Sequence, residues 1–381
     1  MKVGIDARVL GTQRALDVYL RNILVSYPKT RPEDQITLLV SNESQKTLVP
    51  KDRFQFRLVP ASHTFIEHFN FKKNIVDFDV FWHPDNREFI NCISNSVVTI
   101  HDLLPIKFPE IVLSKDPFLN FRQKVYFRML KSAWKKAKTI ITVSQSSASD
   151  IEEIIGVSKN KINVVYNGVS RDFFKIRTDE EKKKAQAKYR IESPYIFYIG
   201  GLNAHKNVAT LIRAMSLVKH KNIRLVIGGK TDSDNSSGQN IYQEILSQAK
   251  KLGVSDRLVF SGFIQDEDLP AIYQGAKVFV YPSFYEGFGL PPLEALASGV
   301  PVICSNSASL PEVVGEAGIL IDPNDYEGFA KGVDRILEDS KLANSLINKG
   351  LLRASEFSWE KAAGDVYNIL IESYAKNQAK N

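Results

Sequence analysis

The sequence predicts an α/β protein with two doubly wound parallel sheets, and three observations carry that expectation. At 381 residues the chain exceeds what a single hydrophobic core usually supports. Two series of short, uniformly apolar runs recur along it, separated by helical patterns, as strands buried on both faces require. Between Ser170 and Pro194 the alternation breaks off, and the charged run Asp179–Lys184 takes its place.

In order, the first series of strand-like runs is Val3–Ile5, Ile36–Val40, Phe54–Val59, Val80–His83, Val97–His101, Ile140–Val143 and Ile162–Tyr166, with helical stretches such as Ala15–Ser26 between them. The second is Tyr195–Ile199, Arg224–Ile227, Leu258–Phe260, Val278–Tyr281, Val302–Cys304 and Ile319–Ile321. Helices are expected at Val208–Val218, Ile241–Lys251, Leu269–Gln274, Pro292–Ala297 and Phe329–Glu338. The expected domains are 1–175 and 194–359, joined by a linker at 176–193 and followed by a terminal helical stretch at 360–381.

Composition narrows the function classes. Hydrophobic content of 44% with 24% charged residues is that of a soluble globular protein. Two cysteines, Cys92 and Cys304, are too few for a disulfide framework and read as free thiols in a reducing compartment. The start Met1–Asp6 is a strand pattern rather than a secretory signal, and no apolar run approaches the roughly 18 residues of a membrane span. A cytoplasmic protein is expected. Net charge is +7, and residues 1–190 hold 32 basic and 21 acidic residues against 18 and 22 in the remainder. Only the front half is therefore expected to meet an anionic partner. Its basic residues lack an interleaved aromatic platform, which gives no case for nucleic acid.

The chemistry concentrates in Ser283–Pro301. This stretch follows the apolar run Lys277–Tyr281, turns at Gly287 and Gly289, and enters a helix expected to begin at Pro291. Amides of Gly287, Phe288 and Gly289 at a helix N-terminus attract an anion such as phosphate. Glu286 and Glu294 bracket the turn, placed to accept hydrogen bonds from hydroxyls of a sugar and a ribose. The combination reads as a nucleotide-sugar site. A hydrolytic carboxylate pair fits poorly, because no apolar pocket to raise one carboxyl is visible nearby.

Glu286 and Glu294, spaced E-x7-E within E-G-F-G-L-P-P-L-E-A-L-A-S-G-V-P-V-I, resemble the signature of glycosyltransferase family four, the retaining GT-B enzymes. The resemblance implies two Rossmann-like domains facing each other across a cleft, with the terminal helix crossing back to the first. It also implies transfer from a nucleoside diphosphate sugar without a metal, the leaving phosphate taking the acceptor's proton. Glu286 would then serve the sugar, Glu294 the ribose, and the Gly287–Leu290 amides the diphosphate. The turn Tyr198–Asn207 resembles the family's pyrophosphate grip. Lys206 matches its lysine, whereas Gly201 stands where an arginine is usual. Thr99–Glu110 resembles the family's H-D motif, whose histidine, here His101, contacts a hydroxyl of the donor sugar. Asp102 reads equally as an acceptor-side residue or as a cap. The opening matches only in its first half: Gly11-Thr12-Gln13-Arg14-Ala15 replaces a glycine-rich loop, leaving Gly11 for the diphosphate and Arg14 on the acceptor side. Gly228, Gly229 and Phe263 resemble positions lining the base pocket.

Lys124, Arg128, Lys131, Lys135 and Lys138 step by four and three and would share one helix face. They admit two readings, a solvated face or peripheral contact with an anionic membrane that carries a lipid-linked acceptor. Asp232-Ser233-Asp234 has the D-x-D form of a metal site in another glycosyltransferase fold, but its polar surroundings read as a loop. The pairing of I-H-D-L-L-P-I-K-F-P-E with F-Y-E-G-F-G-L-P resembles the bacterial O-antigen and polysaccharide mannosyltransferase branch. That branch implies GDP-mannose as donor and a glycan or lipid-linked acceptor. UDP- or ADP-sugars, an epimerase on the same architecture, and a non-catalytic sugar-nucleotide binder remain as alternatives.

Overall fold

The computed structural model describes residues 1–12, 15–28, 34–61, 75–85, 95–113, 116–229 and 236–378. The chain divides into two compact units, one of 1–168 with 358–381 and one of 169–357. All the apolar runs read from the sequence form strands, and every ladder among them is parallel.

The first unit holds β1 (Lys2–Asp6), β2 (Gln35–Val40), β3 (Gln55–Leu58), β4 (Val80–His83), β5 (Ser96–Ile100), β6 (Thr139–Thr142) and β7 (Ile162–Val164). Their spatial order is β3-β2-β1-β4-β5-β6-β7, so the winding reverses between β1 and β4. Central strands are buried along their length, which explains runs such as Val-Val-Thr-Ile with no polar alternation. Trp82 is fully buried and donates from Nε1 to the Thr99 hydroxyl at 2.9 Å, satisfying its one polar atom. The helix Trp359–Gln378 belongs to this unit and packs on β4 and on the helix Ala15–Val25. Gly168 makes the junction possible, since a Cβ there would stand 2.1 Å from the Trp359 nitrogen.

The second unit holds β8 (Tyr195–Ile199), β9 (Arg224–Gly228), β10 (Leu258–Gly262), β11 (Val278–Tyr281), β12 (Val302–Ser305) and β13 (Gly318–Ile321). Their order is β10-β9-β8-β11-β12-β13, with the reversal between β8 and β11. Cys304 is buried in β12, its thiol pushed up by burial; Cys92 lies outside the described residues.

One expectation on organisation changes. Residues 176–193 do not form a bare linker: they lie in the second unit and contain the helix Asp179–Lys188. Thr178 and Glu181 close a capping box at its start, and three acids in its first turn suit the helix dipole. The helix Ser340–Ser355 was not read from the sequence. Asp339 caps it, accepting from the amides of Lys341 and Leu342 at 2.9 and 3.0 Å. Gly350 lets it approach Leu296, whose Cδ2 would be 3.0 Å from a Cβ. Among the described residues no helix is long and apolar enough to cross a membrane.

Candidate active site

Ligands of open α/β sheets bind beyond the carboxyl ends of strands, where the winding reverses. In the second unit that place is flanked by the loops leaving β8 and β11. The first carries Gly200–Asn207 and the second Ser283–Gly289. They are pinned together: the His205 carbonyl accepts from the Phe284 amide at 2.8 Å and the Ser283 hydroxyl at 3.0 Å. Asn207, in a left-handed conformation (φ 54°), donates from Nδ2 to the carbonyls of Pro282 (3.1 Å) and Pro323 (2.7 Å). An asparagine tolerates that φ at modest cost, and its amide repays the cost by tying three segments together.

This pinning brings Lys206 onto Glu286. Nζ donates to Oε1 at 2.8 Å and Oε2 at 2.9 Å, and to the Tyr281 hydroxyl at 3.0 Å. The lysine is 18% exposed and the carboxylate 13%, so both charges are largely out of water. Burial alone would raise the Glu286 carboxyl, but the Lys206 ammonium outweighs it and holds the carboxyl below its ordinary range. Burial first, then the Glu286 charge, keeps the Tyr281 phenol protonated. His205 beside them is lowered to about 4 by burial and by Lys206, and is neutral at physiological pH. Sequence reading assigned Lys206 and Glu286 to different parts of a ligand; the structure pairs them with each other.

Tyr281 escaped the sequence reading, as did Tyr198. Their rings stack with centroids 5.7 Å apart at 21°, and the Tyr198 hydroxyl donates to the Gly201 carbonyl at 2.9 Å. The stacked pair thus holds both ends of the lysine loop. The available signal was a hydroxylated aromatic at or next to the carboxyl end of each of two neighbouring strands.

The turn after Glu286 enters the helix Leu290–Ala297, one residue earlier than expected, with Pro291 and Pro292 in its first turn. Gly289 caps it at φ 112°, and a Cβ there would meet Leu310 Cδ2 at 2.7 Å, so only glycine fits. The Ser309 hydroxyl, also absent from the sequence reading, reaches the carbonyls of Glu286 (3.0 Å) and Phe288 (2.6 Å) and fixes the turn. Phe288 itself is buried against Phe357, so only its backbone can serve a ligand. One turn on, Glu294 accepts from the Tyr273 hydroxyl at 2.9 Å. Burial pushes its carboxyl up to about 8, against the opposing effect of that bond. The apolar surroundings judged absent from the sequence are therefore present. That burial is set by the packing around the helix, with Tyr273 closing over the carboxyl from 21 positions earlier in the chain, and the environment alone no longer argues against a hydrolytic pair.

Gly228 and Gly229 close the end of β9. A Cβ on Gly229 (φ 120°) would stand 2.3 Å from the Gly200 carbonyl oxygen, so backbone approach requires that glycine. Phe263, just past β10, is 40% exposed. At Gly201 a Cβ would have only an ordinary 3.6 Å contact with Asn203 Nδ2, so crowding does not explain the missing arginine.

In the first unit, Gly11 has φ 78° and donates its amide to Asp17 Oδ1 at 3.1 Å. Arg14 lies outside the described residues, as do Asp232, Ser233 and Asp234. His101 follows β5, its ring 4.7 Å from that of Tyr19. Its Nε2 lies 2.8 Å from the Pro84 carbonyl, which can only accept, so that nitrogen carries the proton. Asp102 Oδ1 accepts from the Leu104 amide at 2.9 Å, a turn-capping contact. Lys124, Arg128, Lys131 and Lys135 are exposed on the helix Pro117–Lys136, and Lys138 is exposed just beyond it. Among the described residues no group of three or more His, Cys, Asp or Glu side chains could hold a metal ion.

Residues 179–353 match the family Glycosyl transferases group 1, and residues 40–173 match Glycosyltransferase Family 4. O-antigen chain mannosyltransferase B of Escherichia coli is 33% identical over 295 residues, covering 76% of this chain and 74% of that protein. The serotype-specific mannosyltransferase WbdA of Escherichia coli is 31% identical over 287 residues, covering 74% of this chain but only 33% of that longer protein. The solved structure of Anabaena HepE in complex with UDP and glucose superposes with a TM-score of 0.78 at 18% identity, covering 98% of this chain and 100% of that one. Two parallel-sheet units, a glycine-turned loop carrying Glu286 that runs into a helix carrying Glu294, and these matches lead to one assignment: the chain belongs to glycosyltransferase family four and has the GT-B fold.

Proposed function

We propose that this enzyme transfers mannose from GDP-mannose to a hydroxyl of a glycan or lipid-linked acceptor in cell-surface polysaccharide synthesis, with retention and without a metal. The observation that carries the reading is the cluster of Lys206, Glu286 and Tyr281 at the β8/β11 switch point, beside the turn into Leu290–Ala297. A donor diphosphate against that turn would draw on the Lys206 ammonium, which gains most as the bond from the sugar carbon to the phosphate oxygen breaks. Glu286 would accept from sugar hydroxyls and Glu294 from the ribose diol. The acceptor oxygen attacks the sugar carbon from the face the diphosphate leaves, and its proton passes to the leaving phosphate oxygen, so no protein base is needed. His101 would contact a hydroxyl of the donor sugar, a role the family likeness supports. The O-antigen mannosyltransferase relatives support mannose. The neighbour holding UDP and glucose keeps a UDP-sugar as the second reading. The basic face of the helix Pro117–Lys136 would meet an anionic membrane at the site of synthesis.

A thermal-shift series with GDP, UDP and ADP and their sugars, run with a chelator present, tests this. GDP and GDP-mannose are expected to raise the midpoint selectively, because ligands of the native state stabilise it. Mannose transfer should follow and should be lost in Glu286→Ala. Selective stabilisation by UDP would move the assignment to a UDP-sugar, and near-normal transfer by Glu286→Ala would remove the scheme.

A further inference from the structure

The helix Pro117–Lys136 buries only Leu130, Ala133 and Trp134, all in its carboxyl-terminal half. Those three join a core cluster with Val98, Ile100, Ile140 and Ile151. The half that precedes them fully buries no side chain, although Tyr126 and Phe127 pack partly on the same cluster, and its first turns expose large apolar side chains instead: Phe118 is 67% and Phe121 65% accessible, with Leu119 and Val125 exposed beside them. Phe118, Phe121 and Val125 step by three and four, so they share one face of the helix, opposite the buried residues. That face continues into Arg128 and Lys135, and the Arg122 guanidinium lies 5.8 Å from the Phe118 ring centre. Leu119, Phe121, Val125 and Met129 line a groove of about 610 Å³ alongside.

We propose that this face inserts obliquely into an anionic lipid bilayer. Phe118, Phe121 and Val125 enter the acyl boundary, while Arg128, Lys131, Lys135 and Lys138 lie on the headgroups. The inference rests on the reading that the basic stripe meets a membrane, and deepens it by naming an apolar insertion and its direction, amino-terminal end first. Charge complementarity selects the occupant. From 117 to 149 the chain has no acidic residue, and Asp116 is engaged in capping the helix through the Leu119 amide at 2.8 Å. A protein partner would need an acidic rim around an apolar socket, whereas anionic lipid supplies both over any area. Exposed apolar patches beside basic residues mark membrane or interaction sites.

Phe121→Trp in the full chain is the probe, because the native Trp82, Trp134 and Trp359 are all buried. Vesicles of phosphatidylcholine with phosphatidylglycerol should shift its emission to the blue, lipids brominated on the acyl chain should quench it, and part of the binding should survive high salt. Pure phosphatidylcholine should give little. The pair Phe118→Ser and Phe121→Ser should weaken vesicle binding by about tenfold or more while leaving the thermal midpoint and donor binding unchanged. Binding fully released by salt, with no quenching, would overturn insertion yet keep the electrostatic contact. No binding to anionic vesicles would overturn both. A blue shift that grows with protein concentration without lipid would assign the face to a second copy and also overturn the proposal.

Discussion

Replacing Lys206 with alanine is expected to lower the turnover number by roughly a hundred- to a thousandfold, the usual cost of removing one stabiliser of developing negative charge. The ammonium is held by three bonds within 3.0 Å, to two carboxylate oxygens and one phenol, so it is placed before a donor arrives. Gly201 stands where the family resemblance expects an arginine, so on the proposed scheme Lys206 would carry a larger share of the work. Stability should fall as well, because Glu286 loses its partner while still screened from water. Breaking a fully buried pair costs about 3–5 kcal/mol. With 18% and 13% exposure remaining, about 2–3 kcal/mol is the better expectation. Initial rates and urea unfolding separate the two effects. Adding Glu286→Gln to Lys206→Ala should recover most of the stability and none of the activity. A single variant with turnover within threefold of the native enzyme would remove Lys206 from the chemistry.

The second large effect is on pH. Glu294 titrates near 8 in the folded chain against an ordinary value of 4.5, so between those pH values the folded state holds a proton that the unfolded state has lost. Its contribution to stability is complete below pH 4.5 and disappears as pH rises through 8, a change on the order of 5 kcal/mol. Glu294→Gln cannot titrate and should lack this slope. Donor binding should run the other way. A carboxylate accepts a ribose hydroxyl on each oxygen, whereas protonation turns one of those oxygens into a donor, so binding favours the ionised form and releases a proton. Donor affinity should then rise by about tenfold per unit toward pH 8 and level off above it. Calorimetry in buffers of different ionisation enthalpy would count that proton. Equal slopes in the native enzyme and Glu294→Gln would show that the diphosphate's own titration accounts for the effect and that Glu294 does not meet the ribose.

Both predictions depend on partners supplied by segments distant in the chain. Lys206 and Glu286 are 80 residues apart, and each was legible alone: Lys206 from its loop, Glu286 from the turn before a proline-started helix. Their pairing was not legible. It follows from β8 and β11 lying side by side, and strand order is a property of the whole sheet. Tyr281 and Tyr198 read as ordinary strand residues until register stacks them, and the raised carboxyl of Glu294 depends on which side chains close over it.

By itself, the sequence determined the parallel strands, their division into two sheets, the Gly289 turn and the E-x7-E spacing. Apolar runs, glycine's access to positive φ and proline's fixed φ act within a few residues and do not wait for the fold. Polar helices were harder to read. Asp179–Lys188 lacks an apolar stripe, and Ser340–Ser355 depends on Asp339 and on room at Gly350. Only the tertiary structure decided which charges meet, which carboxyl is raised, and which face of Pro117–Lys136 keeps its phenylalanines in water. Desolvation and pairing depend on neighbours brought together by topology, and one-dimensional spacing does not encode them.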